Sequence, residues 1–151
     1  MKSFATFFLG LHRFGLELRR IQEIVKNLEV IRVPLANSCF NGLINLRGKI
    51  VLAVRLGKFL GLPDTPGGQS LSVVLEMDQE LYSLQIDSVG EVLEAEPEQE
   101  QPVPASLAES LRPFLRNILR LDQGVLLILD EEKILTGKPF KEWKESERAS
   151  P

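Results

Sequence analysis

The chain has 151 residues, of which 44% are hydrophobic and 26% are charged, and its formal net charge is −3. These proportions are typical of one globular domain, or of two small ones sharing a chain, with enough apolar material to bury a core. A net negative charge gives no reason to expect nucleic acid as a partner. One cysteine and one histidine exclude an internal disulfide and leave no basis for a metal cluster or a Ser-His-Asp triad.

The first residues share only some features of a signal peptide. Lys2 precedes an apolar run at 4–11, but the run meets His12 and Arg13 and lacks a small-x-small cleavage site. No apolar run approaches the roughly 20 residues that a membrane-spanning helix needs. We therefore expect a cytoplasmic protein without direct membrane insertion.

The first elements in the chain are a hairpin and a short helix. Apolar runs on either side of a polar link predict a β-hairpin between residues 4 and 18. Leu18, Ile21 and Ile24 then recur at three-residue intervals, which is the spacing of one helical face. The sequence therefore predicts about two helical turns over residues 19–25, too short to be stable without packing on a sheet.

A second hairpin follows near residue 48. Two apolar runs, at 43–46 and 50–54, flank the tripeptide Arg-Gly-Lys at 47–49. This pattern predicts a tight turn with Gly48 in it, because glycine adopts positive φ without steric cost. Arg47 is then held at the mouth of a stiff hairpin.

The second half begins after a stretch dense in chain breakers. Residues 61–68 hold two prolines and three glycines and divide the chain near its middle. Beyond it, apolar runs between 71 and 86 predict another hairpin, and residues 125–129 predict a strand. We expect one or two helical turns within 106–116, and a frayed charged tail at 141–151.

The two halves share the same order of apolar and aromatic positions. Residues 14–24 align with residues 82–92 at an offset of 68 (82 − 14), and residues 43–60 align with residues 118–135 at an offset of 75 (118 − 43). The seven extra residues fall in the stretch 94–106, rich in proline and glutamate, where insertions cost little. This order favours an internal duplication.

Each repeated unit holds about five short strands. Such strands cannot bury both faces as an open sheet, and closing into a small barrel removes the edges. We therefore predict a mostly β fold of two five-stranded barrels side by side, with short helices and a groove between the barrels. The predicted domain spans 1–140, with one barrel at roughly 12–66, the other at roughly 70–136, strand 4–9 packing with either, and a tail at 141–151.

Three motifs resemble one protein family. Residues 42–51 read Gly-Leu-Ile-Asn-Leu-Arg-Gly-Lys-Ile-Val, which resembles the signature G-V-I-N-L-R-G-x-I-V of the CheW-like domain. Residues 18–24 resemble that family's V-x-x-V-x-E-I, and residues 86–89 resemble its V-D-S-V. The resemblance runs over residues 4–135 and implies two SH3-like barrels.

The resemblance also implies a function. Members of this family couple chemoreceptors to the CheA-type histidine kinase in arrays beneath the inner membrane, without catalysis and without a cofactor. They bind the receptor's cytoplasmic tip in the groove and the kinase's regulatory domain on barrel faces, and the arrays can hold other CheW-like proteins. Two departures indicate a divergent member: Arg55 stands where the family usually has aspartate, and residues 37–39 replace the usual N-x-P.

Arg47 leads the candidate site residues, since its rigid fork of donors suits carboxylates and carbonyls at an interface. The alternative for Arg47 is a solvated surface charge. We expect Leu18 and Ile21 to line the groove, whereas core packing is the stronger interpretation for Ile24. Val89 is the repeat counterpart of Ile21 (89 − 21 = 68). The candidate receptor- or kinase-binding residues are Arg47, Leu18, Ile21, Ile24, Asn45, Gly48, Asp87 and Val89.

Two other functional classes were weighed against the adaptor. A small double barrel can also serve as a ligand- or peptide-binding sensor module outside chemotaxis. An enzyme is disfavoured, because no nucleophile–base pair and no glycine-rich phosphate loop can be assembled from the sequence. We expect Cys39 to be a buried thiol without a redox role, and the acidic stretch 94–101 to be a solvated loop. We assign no role to Trp143.

Overall fold

A computed structural model describes residues 1–26, 28–35, 37–63, 71–122 and 124–149, with side chains described up to residue 145. The predicted mostly β fold class is confirmed. The strands are β1 Lys2–Leu9, β2 His12–Glu17, β3 Ile21–Lys26, β4 Val30–Ile31, β5 Phe40–Leu46, β6 Lys49–Arg55, β7 Leu71–Met77, β8 Glu80–Ile86, β9 Ser88–Ala95, β10 Glu100–Gln101, β11 Leu115–Leu121 and β12 Gly124–Leu129. The helices are α1 Leu56–Phe59, α2 Glu131–Leu135 and α3 Lys138–Ala149.

The strands form two sheets with the same plan. Sheet one has the order β10-β11-β12-β2-β1-β9, and sheet two, taken from its other edge, has the order β4-β5-β6-β8-β7-β3. Neighbouring strands are antiparallel except for one parallel pair in each sheet, β12 with β2 and β6 with β8. Each sheet thus has the five longer strands that were predicted, plus a two-residue strand at one edge.

The matching strand orders show the internal duplication directly. Exchanging each of β1–β6 with the strand six places later, in both directions, converts one sheet order into the other. The parallel pairs match at the level of residues, because Leu52 lies opposite Tyr82 and Leu127 lies opposite Phe14. These four residues are repeat counterparts at the offsets of 75 (127 − 52) and 68 (82 − 14) found in the sequence.

The sheets do not follow the two halves of the chain, so the predicted barrel boundaries at 12–66 and 70–136 are wrong. Sheet one joins residues 2–17 to residues 88–129, and sheet two is built from residues 21–86. Each half gives its first hairpin to the sheet formed by the other half. The sequence could not distinguish these arrangements, because the repeated hairpins carry the same apolar pattern and either one can fill the same place.

Three apolar cores hold the two sheets. Sheet one has a core around Phe4 and Leu119, and sheet two has a core around Val51 and Val74. A larger third core takes side chains from both sheets, among them Phe14 and other fully buried residues. The central strands therefore bury both faces, one in their own sheet's core and the other in the shared core. This double burial explains why they are continuous apolar runs in the sequence.

The predicted helix at 19–25 is wrong. A single 3-10 turn, Leu18–Arg20, is followed by strand β3. Burial alternates along β3, with Ile21 partly buried and Ile24 exposed. A register irregularity at Gln22 interrupts its pairing with β7. Three apolar residues at helical spacing were too short a pattern to identify a helix, and the β-branched side chains of Ile21, Ile24 and Val25 fit a strand.

The predicted helical turns within 106–116 are reduced to one 3-10 turn, Arg112–Phe114. Pro113 lies inside this turn, and β11 begins at Leu115. Because proline has no backbone N–H, it cannot continue a longer helix.

The predicted frayed tail is also wrong for its described part, since helix α3 spans Lys138–Ala149. Phe140 is fully buried, with its ring 5.7 Å from Phe40, 5.7 Å from Phe59 and 5.5 Å from Tyr82. Trp143 packs at the edge of the same group, 6.3 Å from the Phe40 ring. Among the described residues, no helix is long and apolar enough to cross a membrane.

Replacing Phe140 by alanine tests whether α3 is part of the folded core. Removing a fully buried aromatic ring should lower the free energy of unfolding by about 3–5 kcal/mol. Lys141→Ala, next to it on the exposed face of α3, should change that free energy by no more than about 0.5 kcal/mol. Urea unfolding followed by tryptophan fluorescence measures both. Equal stability of the two variants would show that the helix does not dock in solution.

Candidate functional site

The β5–β6 hairpin has the tight turn that the sequence predicted. Leu46 pairs with Lys49, so the loop consists of two residues. Both have positive φ, 51° at Arg47 and 85° at Gly48, which is the geometry of a type I′ turn. The Asn45 side-chain oxygen Oδ1 accepts a hydrogen bond of 2.9 Å from the Gly48 backbone N–H. Asn45 and Gly48 therefore shape the turn that carries Arg47.

Arg47 forms a two-pronged ion pair with Glu23. Its Nη1 and Nη2 atoms each lie 2.6 Å from one oxygen of the Glu23 carboxylate. Such fork-to-fork pairs fix orientation as well as charge. Hydrogen bonding by Arg47 holds the pKa of Glu23 below its usual value, and the pair raises the pKa of Arg47.

This ion pair also joins the two sides of sheet two, because Glu23 lies on the edge strand β3 and Arg47 follows β5, the strand next to the opposite edge. We call the place where the pair bridges the two sides the seam of sheet two. Glu23 was not among the site residues predicted from the sequence. The one indication in the sequence that Glu23 matters was its position in the motif at residues 18–24.

The three apolar candidates near the seam differ in exposure. Leu18 and Ile24 are each 40% exposed, whereas Ile21 is partly buried and packs against the shared core. The core interpretation of Ile24 is therefore wrong. Ile24 lies on the same face of β3 as Ile21, because the irregularity at Gln22 shifts the register, but β3 is an edge strand of sheet two and leaves Ile24 uncovered.

Glu23 pairs with Val74 and Ile24 pairs with Val73, so these two side chains lie on opposite faces of β3. We call the surface formed by Leu18 and Ile24, with the Glu23–Arg47 ion pair at its rim, the β3 patch.

The β3 patch is bordered by two clefts. One of about 340 Å³ is lined by Leu18 together with Met1 and its neighbours at the start of β1. The other, of about 360 Å³, is lined mostly by polar and charged side chains, with Ile21 and Met77 as its apolar members. Apolar side chains thus reach concave surface beside the patch.

Asp87 and Val89 lie elsewhere, beside the β1–β2 turn. The Asp87 carboxylate accepts a hydrogen bond of 2.6 Å from the Gly10 backbone N–H. Val89 is 42% exposed on β9, which is an edge strand of sheet one, and Val92 on the same strand is 57% exposed. We call the surface formed by Asp87, Val89 and Val92 the β9 patch.

The structure does not bring all the candidate residues into one groove. On β1, Phe4 pairs with Glu17, the residue before Leu18, whereas Phe7 pairs with Val89. Leu18 and Val89 are therefore about four residues apart along β1, or roughly 13 Å, and they lie on opposite sides of that strand. The candidates divide into two surfaces, the β3 patch and the β9 patch.

The whole chain, including these motifs, was compared with known proteins. The family model described as the CheW-like domain matches residues 3–138. The chain belongs to the CheW-like family.

Several relatives share this architecture. The chain is 28% identical over 138 residues to a chemotaxis protein CheW of Klebsiella aerogenes, covering 91% of this chain and 83% of the relative. It is 26% identical over 141 residues to a chemotaxis protein CheW of Treponema pallidum, covering 90% and 83%. A crystal structure of the scaffolding protein TtCheW from Thermoanaerobacter tengcongensis has the same fold, with a TM-score of 0.81, 24% identity, and coverage of 91% of this chain and 94% of that one.

Membership of the CheW-like family identifies the general function. The protein is a chemotaxis coupling adaptor and scaffold without catalysis of its own, and the alternative of a ligand-binding sensor is not favoured. In the part of the chain that the structure describes, no three His, Cys, Asp or Glu side chains are grouped to hold a metal ion. Burial raises the pKa of the Cys39 thiol to about 11, so this thiol stays protonated and poorly nucleophilic at neutral pH.

Arg55, which departs from the pattern expected of a CheW-like chain, is part of a polar ladder. Its Nε and Nη2 atoms lie 3.2 and 3.0 Å from Asn41 Oδ1, and Asn41 Nδ2 donates a hydrogen bond of 3.0 Å to Gln85 Oε1. The ladder crosses strands β5, β6 and β8, and Gln85 is buried. Arginine at this position is thus accommodated by neutral amide groups.

A cluster of charged side chains lies where the chain passes from sheet one to sheet two, and no motif in the sequence predicted it. Arg116 lies 3.4 Å from Glu17, 3.4 Å from Asp130 and 3.3 Å from Glu131. Glu17 and Glu131 are buried although both are acidic. We call the group the Arg116 cluster, and its members are Glu17, Arg19, Arg20, Arg116, Asp130, Glu131 and Glu132.

Replacing Arg47 tests whether its ion pair with Glu23 forms in solution. In Arg47→Ala the pKa of Glu23 should rise toward its ordinary value of 4.5, because the hydrogen bonds that lower it are gone. Arg47→Lys should give an intermediate pKa, since lysine keeps the charge but not the fork. Both variants keep a Cβ at the same positive φ, so the backbone cost is matched. Carboxyl-detected NMR titration measures the pKa. An unchanged value in Arg47→Ala would rule out the pair.

Glu17 gives a prediction for the pH dependence of stability. Hydrogen bonding by Arg19, followed by the charges of Arg19, Lys2 and Arg116, holds its pKa below 4.5 in the folded protein. The folded state then binds this proton less tightly than the unfolded state. Its stabilising contribution is present above about pH 4.5 and is lost as the pH falls through the lower folded pKa.

Urea unfolding between about pH 5 and pH 3 should therefore show a shallower loss of stability in Glu17→Gln than in the wild type. Glu109→Gln, at a side chain that is 93% exposed, serves as the control and should follow the wild type. Identical slopes for all three proteins would contradict the assignment.

Proposed function

We propose that this CheW-like protein couples the cytoplasmic tips of chemoreceptors to the regulatory domain of a CheA-type histidine kinase, in arrays beneath the inner membrane. The observation that supports this is the pair of separate exposed surfaces, the β3 patch on sheet two and the β9 patch on sheet one. An adaptor must bind two partners at once. Two patches joined through a shared buried core can hold both partners in a fixed relation.

The β3 patch fits the receptor tip. Leu18 and Ile24 expose apolar side chains, and the adjoining clefts give them concave surroundings. A helix of the receptor tip can lay its apolar face on such a surface, with residues at helical spacing acting as anchors. Arg47 lies at the rim of the patch with its side chain 74% exposed. It therefore offers donors to a carbonyl or carboxylate of the bound helix.

The β9 patch fits the kinase's regulatory domain. Strand β9 has eight residues and lies at the edge of sheet one, with most of its length exposed. An exposed edge strand favours association with another β domain. Val89 and Val92 supply apolar contacts there. Other CheW-like proteins, which share this fold, are the further partners that such a surface could take.

Two charge substitutions should separate the two binding activities. Ile24→Asp should weaken binding of a receptor-tip fragment by about ten- to hundredfold, because a buried carboxylate is left unpaired. It should leave binding of the kinase regulatory domain unchanged, and Val89→Asp should do the reverse. Ile21→Asp is less informative, because Ile21 packs against the shared core and its replacement should destabilise the fold.

Val125→Asp is the matched control, since Val125 is 52% exposed at the start of β12, outside both patches. Isothermal titration calorimetry with each purified partner measures the affinities, and thermal unfolding confirms that every variant is folded. If Ile24→Asp and Val89→Asp both bind each partner as the wild type does, neither patch is a binding surface.

A further inference from the structure

The segment that carries Leu18 is held in place by few apolar contacts. It is the 3-10 turn Leu18–Arg20, which joins β2 of sheet one to β3 of sheet two. The turn buries none of its side chains and has no side-chain cap at its N-terminus. Its position relative to sheet one must therefore depend on other interactions.

Ion pairs supply those interactions. Arg19 Nε lies 2.6 Å from Glu17 Oε1. Arg20 Nε lies 3.0 Å from Glu131 Oε1, at the start of α2, without the alignment of a hydrogen bond. The Nη2 atom of Arg20 also lies 3.4 Å from Glu132 Oε1. Both arginines of the turn are thus tied to acids that belong to the sheet-one side of the molecule.

Arg116 is the cation between these acids. It projects from β11 and its two terminal nitrogens contact Glu17, Asp130 and Glu131. Glu17 and Glu131 are 6% and 5% exposed, and in the described residues the second oxygen of Glu131, Oε2, is buried without a hydrogen-bond partner. Asp130 also caps α2 by accepting from the Lys133 backbone N–H at 3.2 Å.

We propose that Arg116 is a positioning residue for the β3 patch, which neutralises Glu17 and Glu131 together and so holds the turn that presents Leu18. The inference rests on the proposed binding of a receptor tip at this patch. It deepens that function by naming a residue outside the patch on which its shape depends.

Charge counting shows why Arg116 is critical. The cluster holds three arginines and four acids, so its net charge is −1, and the loss of Arg116 makes it −2. Two buried carboxylates would then lose their shared cation, and each would keep a single arginine, Arg19 for Glu17 and Arg20 for Glu131. A buried charge that loses a partner is costly, and the chain relieves it by moving the group into water. Glu17 directly precedes the turn, so any such movement displaces Leu18.

Four variants test the proposal. Arg116→Met removes the charge but keeps much of the length of the side chain, and Arg116→Lys keeps the charge without the fork. The double variant Arg116→Met with Glu131→Gln restores the net charge of the cluster to −1. Arg120→Met is the matched control, since Arg120 is exposed on the same strand.

The affinity for a receptor-tip fragment should fall about tenfold in Arg116→Met and recover in the double variant. Binding of the kinase regulatory domain should stay unchanged in all four. In the absence of any partner, amide chemical shifts of residues 18–22 should change in Arg116→Met, return toward wild type in the double variant, and stay unchanged in Arg120→Met. Arg116→Lys should lie between the wild type and Arg116→Met.

Three outcomes would overturn the proposal. The first is wild-type receptor affinity in a folded Arg116→Met variant. The second is an equal loss of both binding activities that Glu131→Gln does not rescue, which would show a general structural role. The third is the absence of shift changes at residues 18–22. If the wild type itself fails to bind the receptor tip, the proposed function fails, whereas the chemical shifts still decide the role of Arg116. If Arg116→Met does not fold, Arg116→Lys and the double variant carry the same comparison.

Discussion

The apolar core shared by the two sheets is the interaction on which the rest of the structure depends. Phe14 from sheet one and Leu84 from sheet two are both fully buried in it. Strands such as β8 are therefore covered on both faces, by this core on one side and by their own sheet's core on the other. Neither half of the chain could provide that cover alone, because each half gives its first hairpin to the other's sheet. Folding and the relative placement of the sheets are consequently one event.

This exchange creates two crossings between the sheets, and they occupy equivalent places in the repeat. The turn at Leu18–Arg20 corresponds to the segment around Asp87, since Arg19 and Asp87 are separated by the repeat offset of 68 (87 − 19). The two copies secure their crossings differently. At Asp87 one carboxylate binds the Gly10 backbone N–H at 2.6 Å, whereas the other crossing depends on the Arg116 cluster. Each crossing leads directly into an exposed edge strand, β9 or β3. The hydrogen bond and the ion pairs that fix the two crossings therefore also position the two patches.

Features set by local chemistry could be predicted from the sequence, and features set by distant contacts could not. The turn at Arg47 and Gly48 was predictable because its glycine and flanking apolar runs specify a hairpin within a few residues. The exchange of hairpins was not, because the repeated patterns fit either sheet. Helix α3 was missed because Phe140 is one apolar residue in a charged stretch, and only burial against Phe40, Phe59 and Tyr82 shows its role.

The candidate site residues likewise separate into those that local sequence predicts and those that depend on distant contacts. The sequence singled out Arg47 but not its partner, since Glu23 is 24 residues away and meets it only when sheet two is assembled. Ile21 and Ile24 had their expected exposures reversed, because the order of strands, which makes β3 an edge strand with a register shift at Gln22, cannot be read from the local spacing. The Arg116 cluster draws acids from residue 17 and from residues 130–132, and no short motif contains it.

The seam of sheet two shows how closure of the fold and binding are connected. Arg47 reaches Glu23 from a turn whose positive φ is unfavourable for a side chain with a Cβ. The turn is held by Asn45 on one side and by the ion pair on the other. A partner that contacts the exposed Arg47 side chain must also exclude water from this pair. Exclusion of water strengthens the attraction between the two charges and also removes their hydration.

The fork-to-fork geometry limits the cost of losing that hydration, because both oxygens of Glu23 already accept hydrogen bonds from Arg47. A preformed pair at the seam can therefore be covered at a lower cost than two separate charges, and the contact that joins the two sides of sheet two also prepares the surface for its partner.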